Sequence, residues 1–209
     1  MSNSAKSIHP CRPNLEAPLN DVFKNIFARR SVRDYLPDSV PDHVIRELIA
    51  AGTYAPSAVN KQPWRFVVIK NRALMTELSQ KAKELWMAKD TSAANPEIIK
   101  LANMVSRPGY DIFYNAPLLI MIFAHPDAFS PQIDCALAAE NMMLAARSLG
   151  MGSCWIGLAS PLGQVPSIMN ELGVPDDCKL VGSLIFGLPA NLNQKAPKRD
   201  EDVILNWID

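Results

Sequence analysis

The chain has 209 residues, enough for one sizeable domain with its own core and barely enough for two. Lysine plus arginine equal aspartate plus glutamate at 21 each, so no global basic field exists to hold nucleic acid or an anionic membrane, and any positive site must be local. The longest apolar run, APLLIMIFA from Ala116, is far too short to span a bilayer, so a soluble protein is expected, with the cytoplasm as its default compartment.

Residues 1–18 are polar and proline-rich without the apolar core of a secretory signal, and read as a loose or surface-draped leader to a single domain over 19–209. From Leu19 to Arg30, Leu19, Val22, Phe23, Ile26 and Phe27 recur at helical spacing, and the predicted helix ends in ARRSVRDYLP. That stretch packs Arg29, Arg30 and Arg33 into five residues. Cations at a helix C-terminus meet the negative end of the macrodipole, which is one explanation; a bound phosphate, gripped by guanidinium forks and the Ser31 hydroxyl, is another. If the helix continued, Arg29 and Arg33 would share a face.

A second helix follows, with Asp38 or Ser39 as cap, Pro41 in its first turn and Val44, Ile45, Leu48 and Ile49 as its buried stripe, stopping near Pro56. APSAVNKQPWRF then carries Ser57, Asn60 and Gln62, either as a polar turn or as amide groups suited to the alternating C=O and N–H edge of a heterocycle. WRFVVIKN from Trp64 reads as a strand, RALMTELSQKAKELWMAK as a helix, and 90–114 as a candidate lid with a short helix over 96–105 and a Pro108-Gly109 turn.

PLLIMIFA from Pro117 is a second strand. DCALAAENMMLAARSLGMG from Asp134 is alanine-rich and apolar nearly all round, a helix packed on more than one face, with a dimer interface as one source of the second face. SCWIGL and KLVGSLIFGLP read as strands on either side of a helix over 161–172. This irregular mixture favours an α+β domain over a doubly wound one.

Cys11, Cys135, Cys154 and Cys178 show no metal-ligand spacing with His9, His43 or His125, and read as buried thiols. There is no nucleophile elbow, phosphate loop or kinase signature, so the expected chemistry is borrowed from an organic cofactor, and no metal is expected. In SLGMGSCWIGLA, Gly150 closes the preceding helix, and Trp155 stands where a dinucleotide fingerprint needs its last glycine. The remaining functional reading there is a close approach of backbone N–H groups to a flat ligand beside Trp155 or Ile156. KAPKRDEDV places Lys195, Lys198 and Arg199 in what reads as a solvated tail.

In order and spacing, ARRSVRDYLP, APSAVNKQPWRFVVI, YNAPLLIMIFA, DCALAAENMMLAARSLGMGSCWIG and APKR resemble the FMN-dependent nitroreductase family over nearly everything after Leu19. The resemblance implies a nitroreductase-like α+β fold, a central mainly antiparallel sheet flanked by helices, and an intertwined homodimer with FMN at the subunit interface. By the family pattern Arg29 and Ser31 bind the FMN phosphate and ribityl region with Lys198 and Arg199, Arg30 belongs to the motif, and Arg33 approaches the pyrimidine end of the flavin. Pro56, Ser57, Asn60 and Gln62 cover the flavin from the partner subunit, backbone groups of Trp155, Ile156 and Gly157 lie along the ring, and VILNWID embraces the other subunit. The implied activity is ping-pong transfer from NADH or NADPH through FMN to a nitroaromatic, quinone or similar small-molecule acceptor. Flavin storage, flavin destruction and dehalogenation are alternatives.

Overall fold

The computed structural model describes residues 19–88, 96–191, 194–200 and 203–208, with the Glu97 side chain set aside. The expected leader, 1–18, lies outside the described residues. Helix α1 spans Asp21–Ala28, and the Asn20 side chain caps it by accepting from the Phe23 N–H at 3.1 Å. It stops short of its predicted end: Arg29 is extended (φ −60°, ψ 138°), so Arg29 and Arg33 do not share a helical face. Helix α2, Asp42–Thr53, starts directly after Pro41 without a side-chain cap, so neither Asp38 nor Ser39 has the predicted role.

The remaining elements are strand β1 (Trp64–Ile69), helices α3 (Arg72–Met87) and α4 (Pro96–Val105), strand β2 (Leu118–Ala124), helix α5 (Pro131–Ser148), strand β3 (Gly152–Trp155), helix α6 (Pro166–Glu171) and strand β4 (Lys179–Gly187). The single helix expected over 161–172 is two pieces, a 3-10 stretch Gly157–Gln164 and then α6. Val165 between them is extended (φ −107°, ψ 100°) because it precedes Pro166, whose ring disfavours the helical conformation in its neighbour.

The four strands form one antiparallel sheet in the order β1-β2-β4-β3. Every residue of β2 is buried, which is why its sequence is an unbroken apolar run rather than an alternating one. Leu119, Met121 and Phe123 face a core built with Met75, Leu78 and Ala82 of α3 and Ile168 and Met169 of α6. Leu118, Ile120 and Ile122 face the opposite core, with Ile45 and Leu48 of α2 and Cys135, Ala138, Ala139, Met142 and Ala146 of α5. Helices thus cover both faces of the sheet.

After α1 the chain crosses the ends of β3 and β4 in extended form. Ser31 bridges to Ser153 in parallel, with the Val32 N–H donating to the Ser153 carbonyl at 2.9 Å. Further on, the Leu36 N–H donates to Leu188 O at 2.9 Å, and the Ala190 N–H donates to Asp34 O at 3.0 Å. Two glycines permit the approach. A Cβ on Gly152 would stand 2.7 Å from Val32 Cγ2, and one on Gly187 would stand 2.6 Å from Pro117 Cδ and 2.9 Å from Tyr35 Cδ1.

Gly152→Ala therefore forces Val32 off the sheet end. The expected loss is about 1–3 kcal/mol of stability, as for other overpacked sites, read as a lower midpoint in urea unfolding. An unchanged midpoint would contradict the close seating.

Candidate functional site

Extended backbone alternates its side chains, so Arg29, Ser31 and Arg33 project to one side while Val32 is buried on the other. The result is a cavity of about 350 Å³ lined by Arg29, Arg30, Ser31, Arg33, Gln194, Lys195, Pro197 and Arg199. The C-terminal basic stretch thus meets the arginine segment, which the solvated-tail reading did not foresee. Lys195 and Arg199 line the cavity, and Lys198 does not.

Within this cationic group Arg29 has a fixed orientation, its Nε lying 3.1 Å from Oε1 of Glu140 on α5. Arg30 turns back on its own chain, Nη1 donating to the carbonyls of Phe27 and Arg29 at 2.6 Å each. Its Nε is buried and has no protein partner among the described residues. Five permanently or ordinarily charged cations around a serine hydroxyl suit the oxygens of a phosphate ester.

Arg33 also lines a second, larger cavity of about 650 Å³, so the two spaces meet at that residue. Its other walls are Trp86, Leu101, Met104, Ile112, Tyr114, Trp155, Ile156, Gly157, Leu158 and Ser160. The Trp86 indole is fixed by its Nε1–H donating to Leu158 O at 2.8 Å. Leu101 and Met104 come from α4, so part of the expected lid stretch forms a wall; residues 89–95 lie outside the described residues. The volume and the aromatic lining suit a flat ring system with few polar groups. The phosphate-matching donors and the slot meeting at Arg33 are what a flavin mononucleotide requires.

Sequence reasoning placed Arg33, Trp155, Ile156 and Gly157 at a ring site but missed Trp86, Tyr114 and Glu140. Tyr114 and Asn115 are left-handed (φ 53° and 54°). The Asp111 carboxylate holds this turn by accepting from the N–H groups of Phe113 (3.0 Å) and Asn115 (2.8 Å). Arg72 Nη1 donates to the carbonyls of Asn115 and Ala116. Left-handed non-glycine residues immediately before a strand are seldom accidental, but φ is not written in the letters YNAP.

The Pro56–Gln62 loop lies apart: none of Pro56, Ser57, Asn60 or Gln62 lines either cavity. It is also strained, with Val59, Asn60 and Gln62 at φ 46°, 56° and 47°. Ser57 Oγ accepts from the Gln62 N–H at 2.9 Å, and Gln62 Nε2 donates to Asn60 Oδ1 at 3.0 Å. Asp134 of α5, itself buried, accepts from the Ala58 N–H at 3.1 Å.

Cys135, Cys154 and Cys178 are free and buried, and burial pushes each thiol above its ordinary range, so none is an activated nucleophile. No group of three or more potential metal ligands occurs among the described residues, and none of their helices is long and apolar enough to cross a membrane.

Comparison with known proteins agrees with this architecture. The family model "Nitroreductase family" matches residues 26–188. A protein of Archaeoglobus fulgidus named "Putative NADH dehydrogenase/NAD(P)H nitroreductase" is 30% identical over 172 residues, covering 82% of this chain and 87% of its own. The 5,6-dimethylbenzimidazole synthase of Rhodobacter capsulatus is 28% identical over 189 residues, covering 84% and 87%. Among solved structures, a Bacteroides fragilis nitroreductase with bound FMN superposes with a TM-score of 0.78 at 29% identity, over 91% of this chain and 100% of that one. Given a four-stranded antiparallel sheet with helices on both faces and a match spanning most of the chain, this protein belongs to the nitroreductase family.

Proposed function

We propose that the protein is a homodimeric FMN-dependent oxidoreductase that takes reducing equivalents from NADH or NADPH and passes them to a small nitroaromatic, quinone or similar acceptor. The observation that carries this reading is the junction at Arg33 of a cationic cavity with an aromatic-walled slot. FMN, when bound, supplies the two-electron chemistry. Arg29, Ser31, Lys195 and Arg199 hold the phosphate, with Arg30 and Lys198 adding positive charge nearby. Arg33 presents a cation to the pyrimidine edge, where negative charge gathers on reduction, while Trp155, Ile156 and Gly157 line the ring. Among the described residues that line the slot there is no carboxylate or imidazole, and the work this reading leaves to them is orientation and exclusion of water.

A partner copy supplies what one chain leaves open. The apolar face of α1 is exposed, with Val22 at 67%, and so is Ile133 of α5 at 63%. Tyr54, at 87%, precedes the strained Pro56–Gln62 loop, and Val59, within it, is also exposed. In the tail, Leu205 is fully exposed. Apolar surface of this extent on a soluble chain suits a second copy, which brings its own Pro56, Ser57, Asn60 and Gln62 over the flavin. Buried reduced thiols suit a cytoplasmic setting.

Similarity to a 5,6-dimethylbenzimidazole synthase favours a second reading, in which the bound flavin is consumed to give a benzimidazole. Anaerobic stopped-flow mixing of the yellow dimer with NADH and with NADPH, followed by air, separates the readings. Rapid bleaching by at least one nucleotide and full return of the flavin spectrum in air are expected. Loss of flavin in air supports the second reading, and slow reduction by both nucleotides supports storage.

Replacing Arg29 with Ala removes a charge-assisted contact worth about 1.5–3 kcal/mol, or about tenfold to a hundredfold in affinity, from FMN but not from riboflavin, which lacks the phosphate. Titration of both flavins into apoprotein measures the difference. Equal weakening of the two would remove Arg29 from the phosphate site.

A further inference from the structure

The larger cavity contains one phenol whose environment the proposed activity does not yet use. Tyr114 lines the cavity, and its hydroxyl oxygen lies 2.8 Å from that of Tyr110, with the two rings edge-on at a centroid separation of 5.9 Å. Tyr110 is half-buried and is not one of the lining residues. Arg33 Cζ stands 6.0 Å from the Tyr114 ring centroid, so the phenol and the guanidinium occupy one wall.

Either hydroxyl can donate in this contact, and of the two residues only Tyr114 lines the cavity. Burial first, and the contact with Tyr114 second, push the Tyr110 phenol above its ordinary range. With Tyr110 as donor, the Tyr114 oxygen accepts, and its own O–H is available to the space it lines. Accepting one hydrogen bond strengthens the donation of the next. The backbone that aims Tyr114 is left-handed at two consecutive non-glycine residues, braced by Asp111 and Arg72. Such strain persists only where the surroundings impose it, and it concentrates at functional positions.

We propose that Tyr114, supported by Tyr110, donates a hydrogen bond to the ring bound in this cavity and acts with Arg33 to favour the reduced, anionic form of that ring over the oxidised form. The proposal rests on FMN being the occupant. Tyr114 is thereby a cofactor-tuning residue, and Tyr110 is a positioning residue that acts through it.

The test is the two-electron midpoint potential of FMN-loaded wild-type, Tyr114→Phe and Tyr110→Phe proteins, by reductive titration against a reference dye, with oxidised-FMN affinity measured beside it. Tyr114→Phe keeps the ring beside Arg33 and removes only the hydroxyl. Its preference for reduced over oxidised FMN should fall about tenfold, which is a potential lower by about 30 mV for a two-electron couple. Tyr110→Phe should shift the potential the same way by less. A merely structural effect on the turn would weaken oxidised and reduced FMN alike and leave the potential in place.

An unchanged or raised potential in fully loaded Tyr114→Phe protein overturns the proposal. Should Tyr114→Phe fail to fold, an unchanged potential in Tyr110→Phe does the same. Wild-type protein that binds no FMN would instead overturn the functional reading, and this proposal with it.

Discussion

The seating of Ser31–Leu36 across the ends of β3 and β4 is the contact on which the rest of the site depends. It converts a run of arginines from the end of a helix into an extended segment whose side chains alternate, aiming Arg29, Ser31 and Arg33 together and burying Val32 beneath. Only hydrogen atoms at 152 and 187 allow it, since a Cβ at either place would meet Val32, Tyr35 or Pro117 below 3 Å. Because Arg33 is carried on this segment, the cationic cavity and the aromatic slot share a wall residue.

Two loops beside the strand starts carry the backbone strain. Val59, Asn60 and Gln62 precede β1, and Tyr114 and Asn115 precede β2. Each left-handed non-glycine residue costs about 1–3 kcal/mol, and each loop is held by a carboxylate accepting from its backbone, Asp134 for the first and Asp111 for the second. The first loop carries the side chains proposed to cover a partner's flavin, and the second carries Tyr114. Rigid presentation of a few polar groups is a contribution such a scaffold makes to cofactor chemistry.

Much of this was legible in the sequence because it follows from periodicity. The uninterrupted run LLIMIFA is a strand buried on both faces, the alanine-rich stretch from Asp134 is a helix with most of one side in the core, and Gly150 ends it with a φ of 74°. The motifs RRSVR and WIG fell within cavities that meet. What was not legible depends on tertiary contacts. Helix α1 ends at Ala28 because the next residues are drawn to the sheet, a choice that local propensity does not encode. Glu140 and Trp86 enter the site from α5 and α3, and nothing in their local sequence distinguishes them from other helix residues. The approach of Arg199 to Arg29 was expected only through the family resemblance, and that of Lys195 was not expected; both span most of the chain, so local sequence does not encode them.

The most direct test of this account is a crystal structure of the protein with FMN. The account predicts the phosphate among Arg29, Ser31 and Arg199, and the ring in the slot between Arg33 and Gly157, with the Pro56–Gln62 loop of a second copy over it. A phosphate bound away from the arginine segment, or a ring lying outside the slot, would contradict it.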